Sequence, residues 1–425
     1  MDVTICPSTL TGAIGAIASK SMAHRLLILA ALAQGPCTLE CATSSADIEA
    51  TASCLSSLGL RDARRAQELA QPRPSLPTTL DCGESGSTLR FLLPVAGALG
   101  LPARMLRAGR LANRPFGPFA RELCRHGMHI VEQGDCLAVE GTLTGGRFVL
   151  PGNVSSQYAS GLLMAAPLLD EPMQVMLAKP VESKPYINLT LDALSQFGAR
   201  PAQATTVEQG VAYEVFSLGP QKLVAPEHLE VEGDWSNAAF WLAAGALERE
   251  GITVFGLNLL SAQGDRTVLA ALASLGARIA RRGDAARATA DSPRAATFDV
   301  SAIPDLVPPL AAVCATTSGT STFANAGRLR LKESNRLQTV CDAVCALGGK
   351  ARVAGDDLVI EGVAQLDAGV VDAANDHRIA MMAAVMATHA RGPVTILDAG
   401  CVSKSYPGFW EDYARLGGIV QKNGA

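Results

Sequence analysis

Residues 18–33 read ASKSMAHRLLILAALA, a cluster of small polar and charged residues running straight into an almost wholly apolar stretch. The pattern predicts a helix whose first turn is capped by Ser19 or Ser21, each able to accept a hydrogen bond from the free N–H groups there. Leu26, Leu27, Ile28, Leu29 and Leu32 leave no polar face, so this helix belongs inside a domain. Lys20, Ser21 and Arg25 then stand where the helix dipole and the unpaired amides favour an anion. Ser21 and Arg25 are four apart and share a helical face.

The same design recurs. Ala-rich apolar segments with a polar start begin again at Ser87, Ser156, Ser236, Asp305 and Asp376. A second, amphipathic helix type ends each unit on a glycine, at Gly59, Gly127, Gly198, Gly276, Gly348 and Gly417, the expected left-handed C-cap. Both series step by roughly 70 residues, and short β-like runs such as 38–41, 148–150 and 394–397 lie between them. Six copies of one α/β unit are predicted, each with a buried helix, a surface helix and a few strands. A chain of 425 residues is too long for one core, so six units most simply divide three and three.

With 48% apolar and 18% charged residues and a formal charge of -4, the composition is that of a soluble globular protein. It gives no electrostatic case for nucleic acid or for an acidic membrane, so any basic patch must be local and made for a small anion. No apolar run is long enough to span a bilayer and the first residues lack a leader pattern, so a cytoplasmic location is expected. The eleven cysteines lack paired metal spacing and read as free, mostly buried thiols.

Along the chain, residues 1–16 read as a short strand and a Gly-rich turn, TGAIGA, and 63–77 as an exposed loop. Asp47 reads as a helix-dipole cap. Gly83 and Gly86 bracket the entry to the second buried helix, where they let a ligand approach the backbone, and Pro94 is expected to kink that helix after Leu93. Arg110 and Arg114 fall in a loop before a Pro-marked helix start, a suitable carboxylate or phosphate clamp. Ser155, Ser156 and Gln157 exceed what one N-cap requires, which suits a polyhydroxylated or phosphorylated ligand. Ser183, Lys184 and Tyr186 surround Pro185 in an expected rigid turn, and 280–296 reads as a solvated insertion. In the stretch GRLRLKESNRL, read as a helix, Lys332 and Arg336 share a face with Glu333 alongside, so that cations hold an anionic substrate beside an ionised base. Asp376, His377 and Arg378 precede the last buried helix, and Lys404 follows it.

The series ASKSMAHR, GESGSTLRF, NRP, SSQY, SKPY, IPD, LKESNRL, NDHR and SKSYP, in this order over essentially the whole chain, resembles the 5-enolpyruvylshikimate-3-phosphate synthase family. The resemblance implies a two-lobed inside-out α/β barrel of six βαβαββ units, three per lobe. Residues 1–16 would be the first strand of lobe I, 17–229 lobe II, and 230–425 the rest of lobe I, with the buried helices aimed at a cleft. It implies transfer of the enolpyruvyl group of phosphoenolpyruvate to the 5-hydroxyl of shikimate 3-phosphate through a tetrahedral intermediate, with no metal and no cofactor. On the shikimate-phosphate side it places Lys20, Ser21, Arg25, Ser155, Ser156, Gln157, Ser183, Tyr186, Asp305 and Lys332. On the phosphoenolpyruvate side it places Lys20, Gly86, Arg114, Gln157, Arg336, Arg378 and Lys404. Asp305, Glu333 and Lys20 resemble the family's catalytic candidates. The implied partners are the two small substrates, with no nucleic acid, no membrane and a monomeric chain.

Glu84 and Arg328 depart from the family pattern, where asparagine is common at both places, and bear on the response to inhibitors such as glyphosate. A UDP-N-acetylglucosamine enolpyruvyl transferase would carry Lys-Asn near the start and a cysteine in the Arg114 loop, whereas this chain has Lys20-Ser21 and no cysteine from 106 to 117. An RNA 3'-phosphate cyclase or a non-catalytic anion-binding protein are the remaining alternatives.

Overall fold

The computed structural model describes residues 1–64 and 77–423. The loop expected over 63–77 therefore lies, apart from its ends, outside the described residues. The chain separates into two compact units, Ala18–Val231 and a second made of Met1–Ile17 with Glu232–Ala425.

Twelve α-helices are found among the described residues, and they alternate in type. The first unit holds α1 (Lys20–Leu32), α2 (Ala46–Ser57), α3 (Gly86–Ala98), α4 (Gly117–Arg125), α5 (Ser156–Ala165) and α6 (Lys184–Gln196). The second holds α7 (Trp235–Ala246), α8 (Val268–Ser274), α9 (Val307–Cys314), α10 (Arg336–Ala346), α11 (His377–Ala387) and α12 (Phe409–Arg415). The odd-numbered helices are the apolar ones: α7, α9 and α11 bury every residue, and α3 all but Ser87 and Ala98. The even-numbered ones bury one face and end on the six glycines, all with positive φ, from +73° at Gly348 to +102° at Gly417. After five of them the next N–H turns back to a carbonyl of the last helical turn, as in Leu60 to Leu55 (3.0 Å) and Ala199 to Leu194 (2.9 Å). This is the Schellman closure that a left-handed residue permits.

The strands repeat one pairing rule. Thr78–Asp81 runs parallel to Ala103–Leu106, which is antiparallel to Cys136–Gly141, itself antiparallel to Met128–Gln133. The same order holds for Gly146–Pro151, Met173–Ala178, Val211–Leu218 and Ala202–Glu208, and for Thr297–Asp299, Thr320–Ala324, Asp357–Glu361 and Lys350–Ala354. A parallel pair joined through a helix, then a hairpin, is the signature of a βαβαββ unit. The first residues complete two sheets of the second unit: Asp2–Cys6 lies between Val394–Leu397 and Ile419–Asn423, and Gly12–Gly15 pairs in parallel with Ile252–Phe255. Among the described residues five sheets have four strands, and the sixth, of Thr38–Glu40 and His228–Glu230, has two.

Three local expectations are corrected. The TGAIGA run is a strand rather than a turn, because its backbone is drawn into a sheet by a distant partner. The 280–296 stretch carries most of a hairpin, Arg278–Arg282 with Ala285–Thr289, in which Ala286 and Ala288 are the buried positions. The alternation is real, but alanine carries it and hides it. Residues 183–186 open α6 instead of forming a free turn. Helix α3 continues through Pro94, and the carbonyl of Arg90, which Pro94 cannot bond, faces Gly161 of α5.

Candidate active site

In the first unit the three inner helices begin under serine caps. Ser19 accepts from Met22 N, Ser85 from Thr88 N and Ser155 from Gln157 N. Lys20 opens α1, and its Nζ lies 2.9 Å from Asp47 Oδ2 in the first turn of α2. Asp47 thus does more than cap its own helix: it fixes where the Lys20 ammonium stands.

Arg25, one turn into α1, is 2% exposed. Its guanidinium donates to Thr190 Oγ1 (2.8 Å), Ser21 O (2.6 Å), Ser160 Oγ (3.3 Å) and Tyr186 O (2.8 Å), and lies 4.9 Å over the Phe91 ring. Every hydrogen-bond acceptor in that set is neutral, and burial drags its pKa below the ordinary arginine value. A buried cation surrounded by uncharged oxygens is a site that an anion stabilises. Nearby in the chain, Ser183 adopts the left-handed conformation (φ 52°) and its buried Oγ has no hydrogen-bond partner. Strained backbone and unpaired buried hydroxyls of this kind cluster at functional positions in proteins.

A second group surrounds Gly86. A Cβ placed there would lie 2.5 Å from Arg90 Nη1, 2.9 Å from Arg114 Nη1 and 3.5 Å from Gln157 Oε1. Arg90 Nη1 donates to Gln157 Oε1 (2.8 Å), and Gln157 Nε2 to Ser87 Oγ (3.0 Å). The start of α3, the start of α5 and the loop before α4 therefore meet at Gly86. Ser156 is buried in the first turn of α5 beside Gln157.

The second unit gathers Asp305, Lys332, Glu333, Arg336 and Arg378. Asp305 sits in the short 3-10 turn Pro304–Leu306 that leads into α9. Its carboxylate accepts from Lys332 Nζ (2.9 Å), Arg336 Nη1 (2.8 Å) and Arg378 Nη2 (3.4 Å). Burial pushes the Asp305 carboxyl up, but Arg378, Lys332 and Arg336 outweigh it and hold the group well below the usual carboxylate range. Arg336 also reaches Glu333 Oε2 (2.5 Å) and clamps Asp376 through Nε (2.9 Å) and Nη2 (3.1 Å). Burial lowers the pKa of Lys332, against the opposing pull of Asp305. Lys332 and Arg336 do not share a helix: Lys332 is extended after the 3-10 turn Gly327–Leu331, and α10 begins only at Arg336. They meet because both are drawn to Asp305. Lys404 Nζ donates to Asn375 O (2.9 Å), the residue just before Asp376 at the entrance to α11.

Sequence reasoning missed Asp47 as the partner of Lys20, Arg90 as a neighbour of Gly86, and Asp376 as the anchor of Arg336. Asp376 is fully buried, caps α11 by accepting from Arg378 N (3.0 Å), and takes a further hydrogen bond from Ser334 Oγ (2.9 Å). Arg90 lies within the GESGSTLRF motif, and its place one turn after Gly86 was the available signal.

Comparison with known proteins shows the family. The family model for EPSP synthase (3-phosphoshikimate 1-carboxyvinyltransferase) matches residues 6–413. A 3-phosphoshikimate 1-carboxyvinyltransferase from Clostridium perfringens is 37% identical over 429 residues, covering 99% of each chain. One from Clostridium kluyveri is 36% identical over 426 residues, covering 99% of this chain and 98% of its own. Among solved structures, EPSP synthase from Acinetobacter baumannii superposes with a TM-score of 0.76 at 23% identity, over 99% of this chain and all of that one. The enolpyruvyl transferase NikO from Streptomyces tendae also gives 0.76, at 18% identity over 100% of this chain and 99% of its own. At these identities the two structures show a shared fold.

Proposed function

The chain belongs to the EPSP synthase family, and from that premise we propose how its residues perform the family reaction, transfer of the enolpyruvyl group of phosphoenolpyruvate to the 5-hydroxyl of shikimate 3-phosphate with release of phosphate. Shikimate 3-phosphate is assigned Lys20, Ser21, Arg25, Ser155, Ser156, Gln157, Ser183 and Tyr186, together with Asp305 and Lys332. Phosphoenolpyruvate is assigned Lys20, Gly86, Arg114, Gln157, Arg336, Arg378 and Lys404. Both substrates are polyanions, and neutral helix caps with buried guanidinium groups provide for them without a basic protein surface.

One observation carries the catalytic assignment: the Asp305 carboxylate is bonded to three cations, with Glu333 on one of them, Arg336. The addition step forms a bond from the 5-oxygen to C2 of phosphoenolpyruvate, moves the hydroxyl proton to a base and delivers a proton to C3. The second step breaks the C2–O bond to phosphate and removes a proton from C3, restoring the double bond. Asp305 can accept the hydroxyl proton because its neighbours keep it charged. An arriving anion competes for Lys332, Arg336 and Arg378, and as they turn to it the Asp305 carboxylate loses stabilisation and becomes the stronger base. Glu333 and Lys20 are then the groups that exchange the proton at C3.

The UDP-N-acetylglucosamine reading is disfavoured by Lys20-Ser21, by the absence of cysteine from 106 to 117 and by the names of the relatives. All assigned ligands come from one chain, so a monomer suffices, and the charge of -4 gives no reason to add nucleic acid. No described helix is long and apolar enough to cross a membrane, in keeping with the cytoplasmic location proposed here. The test is phosphate release with both substrates present. Wild type should turn over, and Lys332→Ala and Glu333→Ala should each lose at least about 100-fold, on the scale of proton-transfer and electrostatic contributions. A wild-type chain that releases no phosphate removes the catalytic reading and leaves an anion-binding protein.

A further inference from the structure

In the first unit a line of buried polar groups crosses from α1 through α2 to α3. His24 Nδ1 lies 2.7 Å from Thr51 Oγ1, Thr51 Oγ1 lies 2.6 Å from Thr88 Oγ1, and Thr88 Oγ1 lies 2.7 Å from Ser85 Oγ, the cap of α3. All four residues are buried, and none of them was assigned a part above beyond the capping of α3.

The direction of this line follows from donor counting. A neutral imidazole has one N–H, and each hydroxyl has one proton and two lone pairs. His24 Nε2 is buried and no group of the protein hydrogen-bonds to it. A proton on Nε2 would be a stranded donor, which costs about 1–3 kcal/mol, whereas a bare lone pair there is the more tolerable omission. The proton therefore belongs on Nδ1 and is donated to Thr51. Thr51 then donates to Thr88, and Thr88 to Ser85, since its other acceptor, Asp47 O, is farther away at 3.4 Å. Ser85 Oγ receives both Thr88 Oγ1 and Thr88 N (3.2 Å), which uses its two lone pairs. What Ser85 retains is its proton.

We propose that His24 is a positioning residue for the phosphoenolpyruvate side of the site: its Nδ1–H form aligns the hydroxyls of Thr51 and Thr88 so that the Ser85 cap of α3, next to Gly86, has its lone pairs filled and keeps its proton to offer an anion. The proposal rests on the assignment of Gly86 and Arg114 to phosphoenolpyruvate. The His24 N–H and the O–H groups of Thr51 and Thr88 run in one sense along the line and reinforce one another, without placing a further charge in the core. The surroundings keep the imidazole neutral. Burial, then Lys20 and Arg25, oppose its protonation, and Asp47, the carboxylate on the packed face of α2, is engaged by Lys20. The Phe91 ring closes the other side, edge-on at 6.4 Å.

The deciding measurement is a long-range proton–nitrogen correlation spectrum of the intact protein labelled at histidine nitrogen, with the His24 signals assigned by their loss in His24→Asn. Nδ1 should carry the proton, Nε2 should be bare, and neither should move from about pH 5 to 8, where an ordinary histidine titrates. A proton on Nε2, or a titrating imidazolium, overturns the proposal. Kinetics give the second arm. Thr51→Val, which keeps the shape and breaks the line, and His24→Leu should raise KM for phosphoenolpyruvate about five- to ten-fold, as one lost hydrogen bond would. The KM for shikimate 3-phosphate should stay within about two-fold, and His24→Asn, which restores a donor near the Nδ1 position, should recover most of the loss. Equal changes in both KM values would mean that His24 only supports the fold. If His24→Leu does not fold, Thr51→Val and the wild-type spectrum still decide. An inactive wild type would sink the enzymatic reading while leaving the tautomer measurable.

Discussion

Gly86 shows how closely the anion site is built around one missing methyl group. A Cβ there would press on the tips of Arg90 and Arg114, which are the mobile ends of long side chains, so Gly86→Ala should fold and displace the guanidinium groups instead. Loss or lengthening of one charge-assisted hydrogen bond is worth about 1.5–3 kcal/mol, so KM for phosphoenolpyruvate should rise by at least about ten-fold with little change in Tm. Glyphosate, a competitor of similar size, should inhibit the wild type and inhibit Gly86→Ala less; a dose series that leaves the wild-type rate intact far above the substrate's own KM contradicts this. Asp305 makes the opposite kind of contribution, because its charge is wanted by the fold as well as by the reaction. Its folded pKa lies below the unfolded value of 3.8, so the unfolded chain binds the proton more tightly. The stability it contributes is complete above about pH 4 and is lost as pH falls towards the lowered folded value. Asp305→Asn should therefore cost about 3 kcal/mol at pH 7, where Lys332, Arg336 and Arg378 lose a shared counter-ion, and should flatten the acid limb of the stability curve. Urea melts at a series of pH values read both effects, and an acid limb unchanged by the substitution would show that the carboxylate is not the group held down.

At the level of helices, the contact between α3 and α5 explains why a glycine and a proline face each other inside apolar segments. Pro94 leaves the carbonyl of Arg90 without its helical donor, and Gly161 lets α5 approach it: a Cβ on Gly161 would stand 2.2 Å from Arg90 O and 3.1 Å from Pro94 Cγ. Backbone cannot swing aside as a side chain can, so Gly161→Ala should cost about 2–4 kcal/mol and move the neighbouring Arg90 and Gln157 out of place. Gly198, with φ +82° and nothing within 4 Å of an added Cβ, gives the contrast, since Gly198→Ala carries only the torsional cost of about 1 kcal/mol. Thermal melts and turnover of the two variants separate steric from torsional loss, and equal destabilisation would refute the close-approach argument. These examples also mark what was legible in the chain. The inner helices and their glycine-ended partners could be read because their apolar runs, caps and C-terminal glycines are local signals. The Gly12–Gly15 strand was not, since its pairing partner is 240 residues away and its own residues favour a turn. For the same reason the cations at Lys332 and Arg336 were rightly placed together but for the wrong cause: a common carboxylate unites them, not a common helix. Asp47 had a sufficient local explanation as a dipole cap, which concealed its bond to Lys20.

Across the whole molecule the six inner helices follow one plan but differ in charge. In the first unit their starts are capped by Ser19, Ser85 and Ser155, whereas in the second an aspartate stands at each start: Asp234 caps α7, Asp376 caps α11, and Asp305 precedes α9. An aspartate satisfies a helix N-terminus with its own charge, and a serine satisfies the amides while leaving the field open to an incoming anion. The second unit thus carries built-in counter-ions for Lys332, Arg336 and Arg378, while Arg25 in the first has only neutral acceptors. A simple dianion should accordingly bind first where no carboxylate must be displaced. Sulfate should raise the Tm of the wild type beyond the effect of sodium chloride at equal ionic strength. The gain is about 2.7 kcal/mol at a hundred-fold excess over Kd, or roughly 5–10 °C for a unit of this size. Arg25→Met should remove most of that rise while leaving the ligand-free Tm unchanged or higher, because Thr190 Oγ1 and Ser160 Oγ still bond each other at 2.7 Å and a buried charge has been withdrawn. Lys332→Met should keep the rise. If calorimetry finds that sulfate stabilises the two variants equally, the difference in helix caps does not govern where anions bind, and the first unit has no priority over the second.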